Sequence, residues 1–364
     1  MAKKKTKKRP VKKKNVRKIK KVAKKRVKKM VKKQKKKVKK VVKTSLQKVK
    51  VDGIPLSQKE VFNASIEISG ATLFTRDNVY EAAMNALENR TVYENIENLD
   101  VFSGSRLPIV LVGHNALLNR DNGAMITLPE NNQEMIDDIL ICHKICENKN
   151  VLIPGLVDSG ILLSENVSVP SKQSIEKFIG KYKPLQKEEM ISLTDNKIDA
   201  DVSLAMAHVR KLIAKTNEKW MKKFHRGVGM IETEGLENAK VVLIVYGQNS
   251  RSTKKAIMDL ASPEQEGQKP INVGLIRVHI ARPFPIDELT KALELVPKKA
   301  KIGVIDISSS AGMGGIMFSE VSSITSRKMS SYVSSKLLGT KNILDIISTL
   351  LDLPSGESET LWIE

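Results

Sequence analysis

Three patterns in the 364-residue sequence carry residue types that could do chemistry. Ser308 to Gly315 (SSSAGMGG) follows a Val- and Ile-rich run and precedes an amphipathic stretch, a position where backbone N–H groups can hold an anion. The phrase lacks the lysine of a P-loop, so it reads first as a tight turn, with anion binding as the alternative. Cys142 and Cys146 stand four apart with His143 between them. On a helix the two thiols share a face while the imidazole points about 100° away, which is poor zinc geometry. With no second ligand pair in the sequence, the thiols read as buried and structural. His114, His208, His225 and His279 are scattered, and no Ser, His and Asp order emerges from them.

Such groups need elements to position them. Pro108–Gly113, Val151–Val157, Val241–Tyr246, Asn272–Ile280 and Ile302–Ile307 are Val- and Ile-rich runs bounded by Gly or Pro, the pattern of strands buried on both faces. Between them, amphipathic stretches predict helices over Asn132–Glu147, Ser203–Phe224, Arg251–Leu260, Ile286–Leu295, Phe318–Lys328 and Lys341–Leu351. In the second of these, Ala205, Val209, Leu212, Ile213, Trp220 and Phe224 form a stripe at 3.6-residue spacing that reads as packing. Short apolar runs alternating with helices predict an α/β body with a parallel sheet. The polar stretch 183–201, punctuated by Pro and Asp, marks a domain boundary.

The charge divides the chain. Residues 1–50 hold 28 of its 63 Lys and Arg and no acid, which leaves 35 basic and 40 acidic groups in the remainder. The net +23 therefore belongs to the tail, and a wholly basic nucleic-acid-binding protein is excluded. The tail has no aromatic residue and buries too little to offset its ordering entropy, so disorder is expected, with a basic amphipathic helix forming only on a polyanion. It could hold nucleic acid or an anionic surface non-specifically, or act only as a solvated charge run. Two cysteines point to a reducing cytoplasm. No apolar run reaches the roughly 18 residues of a membrane span, and no apolar core of a signal peptide follows the lysines.

Several phrases then agree in order and spacing. Arg106–Tyr182 (RLPIVLVGHNALLNRDNGAMITLPENNQEMIDD and onward), VVLIVYG at 241–247, VGLIRVHIARPFPIDEL at 273–289 and IGVIDISSSAGMGGIMFSEV at 302–321 resemble the α subunit of 2-oxoacid:ferredoxin oxidoreductases, the pyruvate enzyme above all. Arg282-Pro283-Phe284-Pro285, with a strand and Gly-rich turn about twenty residues on, is the most distinctive part. The resemblance implies two thiamine-fold, transketolase-like domains with mostly parallel sheets: a shortened pyrimidine-binding-like domain at 51–182, a helical linker at 183–225 and a transketolase C-terminal-like domain at 226–364, after the disordered tail at 1–50. It implies thiamine diphosphate shared with a β subunit, and Mg²⁺ and [4Fe–4S] clusters carried only by that subunit and a ferredoxin-like one.

Residue by residue, Arg120-Asp121-Asn122-Gly123 match the family's R-D-T-G phrase. There Arg120 is implied to bind the substrate's carboxylate, for which a guanidinium fork is suited. His114 and Asn115 fall at a D-H-x-D phrase, and Thr75 falls near a Thr-rich segment, so all three are implied at the cofactor; strand-end packing and turn hydrogen bonding are the other reading of His114 and Asn115. The sequence also departs from the pattern. The Y-P-I-T-P-S-T phrase and the glutamate that activates the thiamine are not found, and Glu60, Glu67 and Glu81 lack matching context. A D-G-F-x-x-S-H phrase reads with Ser159 and Glu165 in place of Asp and His. Two functions are therefore expected: a subunit for oxidative decarboxylation of pyruvate to acetyl-CoA with ferredoxin reduction, inactive alone, or a non-catalytic diverged paralogue tethered to nucleic acid or an acidic surface by its tail.

Overall fold

A computed structural model describes residues 54–97, 99–160, 164–185, 198–227, 229–262, 270–354 and 356–363. The lysine-rich segment, with the disorder and polyanion contact expected of it, lies outside those residues, as do residues 186–197 of the expected linker.

In chain order the first elements are β1 (Ile54–Leu56), α1 (Gln58–Ser69), β2 (Thr72–Thr75), α2 (Val79–Glu88), β3 (Thr91–Glu94) and α3 (Leu99–Gly104). Then come β4 (Val110–Gly113), β5 (Met125–Thr127), α4 (Asn132–Cys146), β6 (Gly155–Asp158), β7 (Glu165–Val167), α5 (Lys172–Ile179) and α6 (Ile198–Phe224). They are followed by β8 (Ile231–Glu234), β9 (Val241–Tyr246), α7 (Asn249–Ala261), β10 (Val273–Val278), β11 (Ile280–Arg282) and α8 (Ile286–Leu295). Last are β12 (Lys301–Asp306), β13 (Ser309–Ser310), β14 (Gly314–Gly315), α9 (Ile316–Ser322), β15 (Ser330–Ser334), α10 (Thr340–Asp352) and β16 (Thr360–Ile363).

Two six-stranded sheets organise these elements, in the orders β11-β5-β6-β4-β3-β2 and β16-β15-β12-β9-β10-β8. In each, five strands run parallel and one edge strand, β11 or β8, is antiparallel. The α/β class with mostly parallel sheets read from the sequence is the class of the structure, and β9 and α8 occupy the residues expected of them. β11 lies in the second half of the chain, yet it pairs with β5 of the first sheet.

Alternating strand residues sort into three cores. Val92, Val110, Val112 and Val157 face α1, α4, α5 and α6 through residues such as Val61, Ile139, Phe178 and Trp220. Tyr93, Leu111, Ile126 and Leu156 on the other face join Val242, Ile244, Ile276 and Val304 of the second sheet in one continuous core. The outer face of the second sheet packs Val241, Leu243 and Leu275 against α7 and α10. The stripe read on α6 is packing: Ala205, Val209, Ile213 and Trp220 are buried.

Candidate functional site

The chain leaves β4 through Ala116 and Leu117 into the core shared by the two sheets, and leaves β6 toward α5 on the opposite face. Adjacent parallel strands whose connections depart to opposite faces open a crevice at their carboxyl ends, where α/β sheets bind ligands. Here the crevice is a cavity of about 460 Å³ lined by Glu94, Asn95, His114 and Ser159, with Phe62, Ile96, Val112 and Met135 as apolar wall. Gly113 is needed at its floor, because a Cβ there would stand 2.7 Å from Ile96 Cγ2.

Ser159, His114 and Gln58 at the crevice are tied to one another or to the backbone behind it. Ser159 Oγ lies 3.2 Å from His114 Nδ1. Gln58 Nε2 donates to the carbonyls of Ser159 (2.9 Å) and Gly160 (3.3 Å), bringing α1 onto the β6 turn. Asp158 accepts from the Ala116 and Gly160 N–H groups, both at 3.0 Å. Burial pushes its carboxyl above the ordinary range, while those two N–H donors and His114 pull it back.

The second sheet has an equivalent switch between β9 and β12, and there the molecule fills its own crevice. The Tyr246 hydroxyl accepts from the Ile307 (3.0 Å) and Ser308 (3.1 Å) N–H groups and reaches Asp306 Oδ1 at 3.3 Å. Asp306 also accepts from Met317 (2.7 Å) and Phe318 (3.0 Å) in the first turn of α9. Burial pushes this carboxyl up to about 6, against the pull of those N–H donors. The alternative reading of SSSAGMGG as an anion site thus fails at the start of α9: the chain's own carboxylate sits there. It also explains Gly315, where a Cβ would fall 2.2 Å from Asp306 Oδ2.

Arg120 follows a single 3₁₀ turn (Ala116–Asn119) after β4. Its Nε faces Glu320 of α9 at 3.2 Å and Asp121 at 3.5 Å. Arg282 grips the same Glu320 through two nitrogens (2.7 and 2.5 Å) and donates Nε to the Arg120 carbonyl at 2.9 Å. Three phrases far apart in sequence, RDNG, RPFP and FSEV, therefore meet in one ion cluster. Beside it lies a cavity of about 390 Å³ lined by Arg120, Ser310, Met313 and Ser319.

Behind the crevice, α4 carries a buried ionic seam toward the second half of the chain. Arg277 of β10, fully buried, pairs with Glu134 through both terminal nitrogens and with Glu232 at 3.2 Å. Lys254 bridges Glu130 and Glu232, both at 2.8 Å. His279 lies 2.9 Å from Asp138 through Nε2 and 3.1 Å from the Gly229 carbonyl through Nδ1. Arg226 and Trp220 both donate to Asp137. Cys142 and Cys146 are buried and free, pressed against Gly155 of β6, and the Cys142 thiol is pushed up by its neighbour Cys146 and by burial. Among the described residues no group of three His, Cys, Asp or Glu could hold a metal, and no helix is long and apolar enough to cross a membrane.

The residues implied by resemblance do not all share one opening. His114 lines the β4/β6 crevice and Arg120 lines the second cavity. Asn115 is exposed at φ 58°, a left-handed turn position that Asn tolerates. Thr75 ends the edge strand β2, its hydroxyl 3.4 Å from Asn78 Oδ1. Glu60 is spent in the capping box of α1, where Ser57 N–H donates to it at 2.7 Å. Glu94, Asn95 and Gln58 were missed; only the position of Glu94 at the end of a short TVYE strand could have signalled the first.

Comparison with known proteins fits this geometry. Residues 239–342 match the pyruvate:ferredoxin oxidoreductase core domain II. The chain is 29% identical over 304 residues to the pyruvate synthase subunit PorA of Methanocaldococcus jannaschii, covering 73% of this chain and 75% of that protein. It is 28% identical to the PorA of Methanothermobacter thermautotrophicus (61% and 63% covered) and 32% identical to the ketoisovalerate oxidoreductase subunit VorA of Pyrococcus horikoshii (62% and 62%). The chain thus spans three quarters of the first relative and under two thirds of the other two. A solved 2-oxoglutarate:ferredoxin oxidoreductase from Magnetococcus marinus shares the fold at a TM-score of 0.55 and 12% identity, over 83% of this chain and 66% of that one. These likenesses relate the chain to the 2-oxoacid:ferredoxin oxidoreductases, and none supports the tethered, non-catalytic alternative.

Proposed function

We propose that this relative of the 2-oxoacid:ferredoxin oxidoreductases is an α-type subunit that takes part in the oxidative decarboxylation of pyruvate, or a close 2-oxoacid, to its acyl-CoA with reduction of ferredoxin. The β subunit holds the diphosphate and Mg²⁺, a ferredoxin-like subunit carries the [4Fe–4S] clusters, and the complex works in the cytoplasm. The observation that carries the reading is the polar crevice at the carboxyl ends of β3, β4 and β6, in a chain whose second half matches core domain II.

The crevice fits the aminopyrimidine end of thiamine diphosphate. Its volume of about 460 Å³ admits the ring, Phe62, Ile96, Val112 and Met135 flank it, and Glu94, Asn95 and His114 offer hydrogen-bonding groups. Bound there, the cofactor supplies the electron sink for breaking the bond between carboxylate and carbonyl carbon. The chain's own residues orient it: Ser159 steadies the His114 ring, and Glu94, on the crevice wall, is the carboxyl placed to meet a ring nitrogen. Thr75, paired with Glu94 across β2 and β3, and Asn115, next in sequence to His114, lie outside the crevice lining and are assigned no contact with the ring. Arg120 takes the 2-oxoacid's carboxylate. Its Nε faces Glu320 and Asp121, while its two terminal nitrogens donate no hydrogen bond to a described residue.

The test is to purify the full chain with its thiamine-binding and cluster-bearing partners and follow CoA-dependent ferredoxin reduction with pyruvate, 2-oxoisovalerate and 2-oxoglutarate. Turnover with at least one is expected. Arg120→Ala should raise KM at least tenfold, and Glu94→Gln should lower kcat with little change in KM. An assembled complex that turns over none of the three overturns the reading.

A further inference from the structure

The amino ends of β12 and β15 open on a different cavity, about 690 Å³ in volume and larger than either cavity described above. β12 separates it from Asp306 by five residue steps, about 17 Å of strand, so it is not part of the carboxyl-end crevices. Its floor is apolar: Leu293, Val296, Ile302 and Leu350 are buried there.

Its rim is cationic. Lys298, Lys299, Lys301, Arg327 and Lys328 line it against only two carboxylates, Glu294 and Glu357. Residues 51–364 as a whole carry more acid than base, so this is a local reversal. None of the five cations forms an ion pair with a described carboxylate. Three are held by backbone instead. Arg327 donates to the carbonyls of Val296 (2.8 Å) and Pro297 (2.7 Å), beyond the carboxyl end of α8. Lys328 donates to the Gly356 carbonyl at 2.7 Å and Lys301 to that of Pro354. Carbonyls orient these groups without cancelling their charge, and Arg327 offsets the negative end of the α8 dipole that would otherwise repel an anion. Lys298 and Lys299 are exposed, and among the described residues their amines have no ion-pair or hydrogen-bond partner.

We propose that this cavity binds an organic polyphosphate of nucleotide size, its apolar body on the Leu293, Val296, Ile302 and Leu350 floor and its phosphates on the lysine rim. Volume, apolar floor and uncompensated cations each match one part of such a ligand. A bare anion would leave the floor unused, and a neutral apolar ligand would leave the cations unanswered.

The probe is ATP, titrated calorimetrically into the full chain at physiological salt, with adenosine and inorganic triphosphate as parallel arms. Saturable one-site binding of ATP is expected, at least tenfold tighter than triphosphate and a hundredfold tighter than adenosine. The charge reversal Lys298→Glu with Lys299→Glu touches two exposed side chains and leaves the lysine tail intact, so it separates the cavity from the tail; it should weaken ATP at least tenfold. Hydrogen exchange of the wild-type chain with ATP should slow in segments 293–302 and 324–330. Equal ATP binding by the reversed variant, protection confined to residues 1–50, triphosphate binding as tight as ATP, or no saturable binding would each overturn the proposal.

Discussion

At Asp306 the fold holds a carboxylate where solvent cannot reach it. Two α9 N–H groups and Tyr246 face it, yet burial wins and raises its titration from the ordinary 3.8 to about 6. The sign follows from linkage. A carboxyl that binds its proton more tightly when folded contributes stability that is complete below pH 4 and is lost as pH rises through 6. The shift corresponds to about 3 kcal/mol. Urea denaturation of the wild type and of Asp306→Asn between pH 4 and 7 should show the stability difference moving by about that amount against the wild type; a difference flat with pH would refute the assignment. The same carboxylate forbids a side chain at 315. Gly315→Ala places a methyl 2.2 Å from Asp306 Oδ2, and with both partners tied to backbone the overpacking should cost about 1–3 kcal/mol in the same denaturation assay. A loss under about 0.5 kcal/mol would mean the turn yields freely.

Elements, rather than single residues, decide what the cluster of Arg120, Arg282 and Glu320 does. It ties the turn after β4 to β11 and α9, so it fixes the second cavity's walls relative to the first sheet. Glu320→Ala would leave two neighbouring guanidinium groups without their shared carboxylate. Because all three side chains are partly open, 16–26% exposed, the expected loss is about 2 kcal/mol, below that of a sealed pair. Glu320→Gln, which keeps an acceptor, should lose about half as much; equal stability of wild type and Glu320→Ala in thermal melts would deny the cluster a clamping role. The sequence made α8 legible by its amphipathic period and β9 by its unbroken apolar run. It hid β15, whose Ser330-Ser331-Tyr332-Val333-Ser334 is buried throughout but has neither apolar continuity nor alternation. The site was legible by halves. His114 and Arg120 lie in phrases that repeat a family pattern, whereas Gln58 meets Ser159 across 101 residues, and Glu320 meets Arg282 across 38. Pairings of that length come from tertiary packing, which no local spacing encodes.

For the whole molecule the question is whether two sheets make two stability units or one. A single apolar core runs from Tyr93 and Leu111 to Ile244 and Val304, β11 crosses into the first sheet, and the ionic seam links Glu130 and Glu134 beside α4 to Arg277 and Glu232 in the second sheet. Arg277 is the pivot of that seam: fully buried, facing three carboxylates with Lys254 beside two of them. Removing the guanidinium alone leaves the largely buried Glu134 without its cation and Glu130 with Lys254 only, so Arg277→Ala should cost about 3–5 kcal/mol. Removing charge on both sides, as in Arg277→Met with Glu134→Leu, should cost clearly less than the two single changes together. Because seam and core are shared, the loss should appear as one lowered transition in calorimetry, with backbone hydrogen-exchange protection of β4 in the first sheet and β9 in the second lost together. Two separated transitions in Arg277→Ala, with the first-sheet protection unmoved, would show that the seam decorates the junction without coupling the sheets.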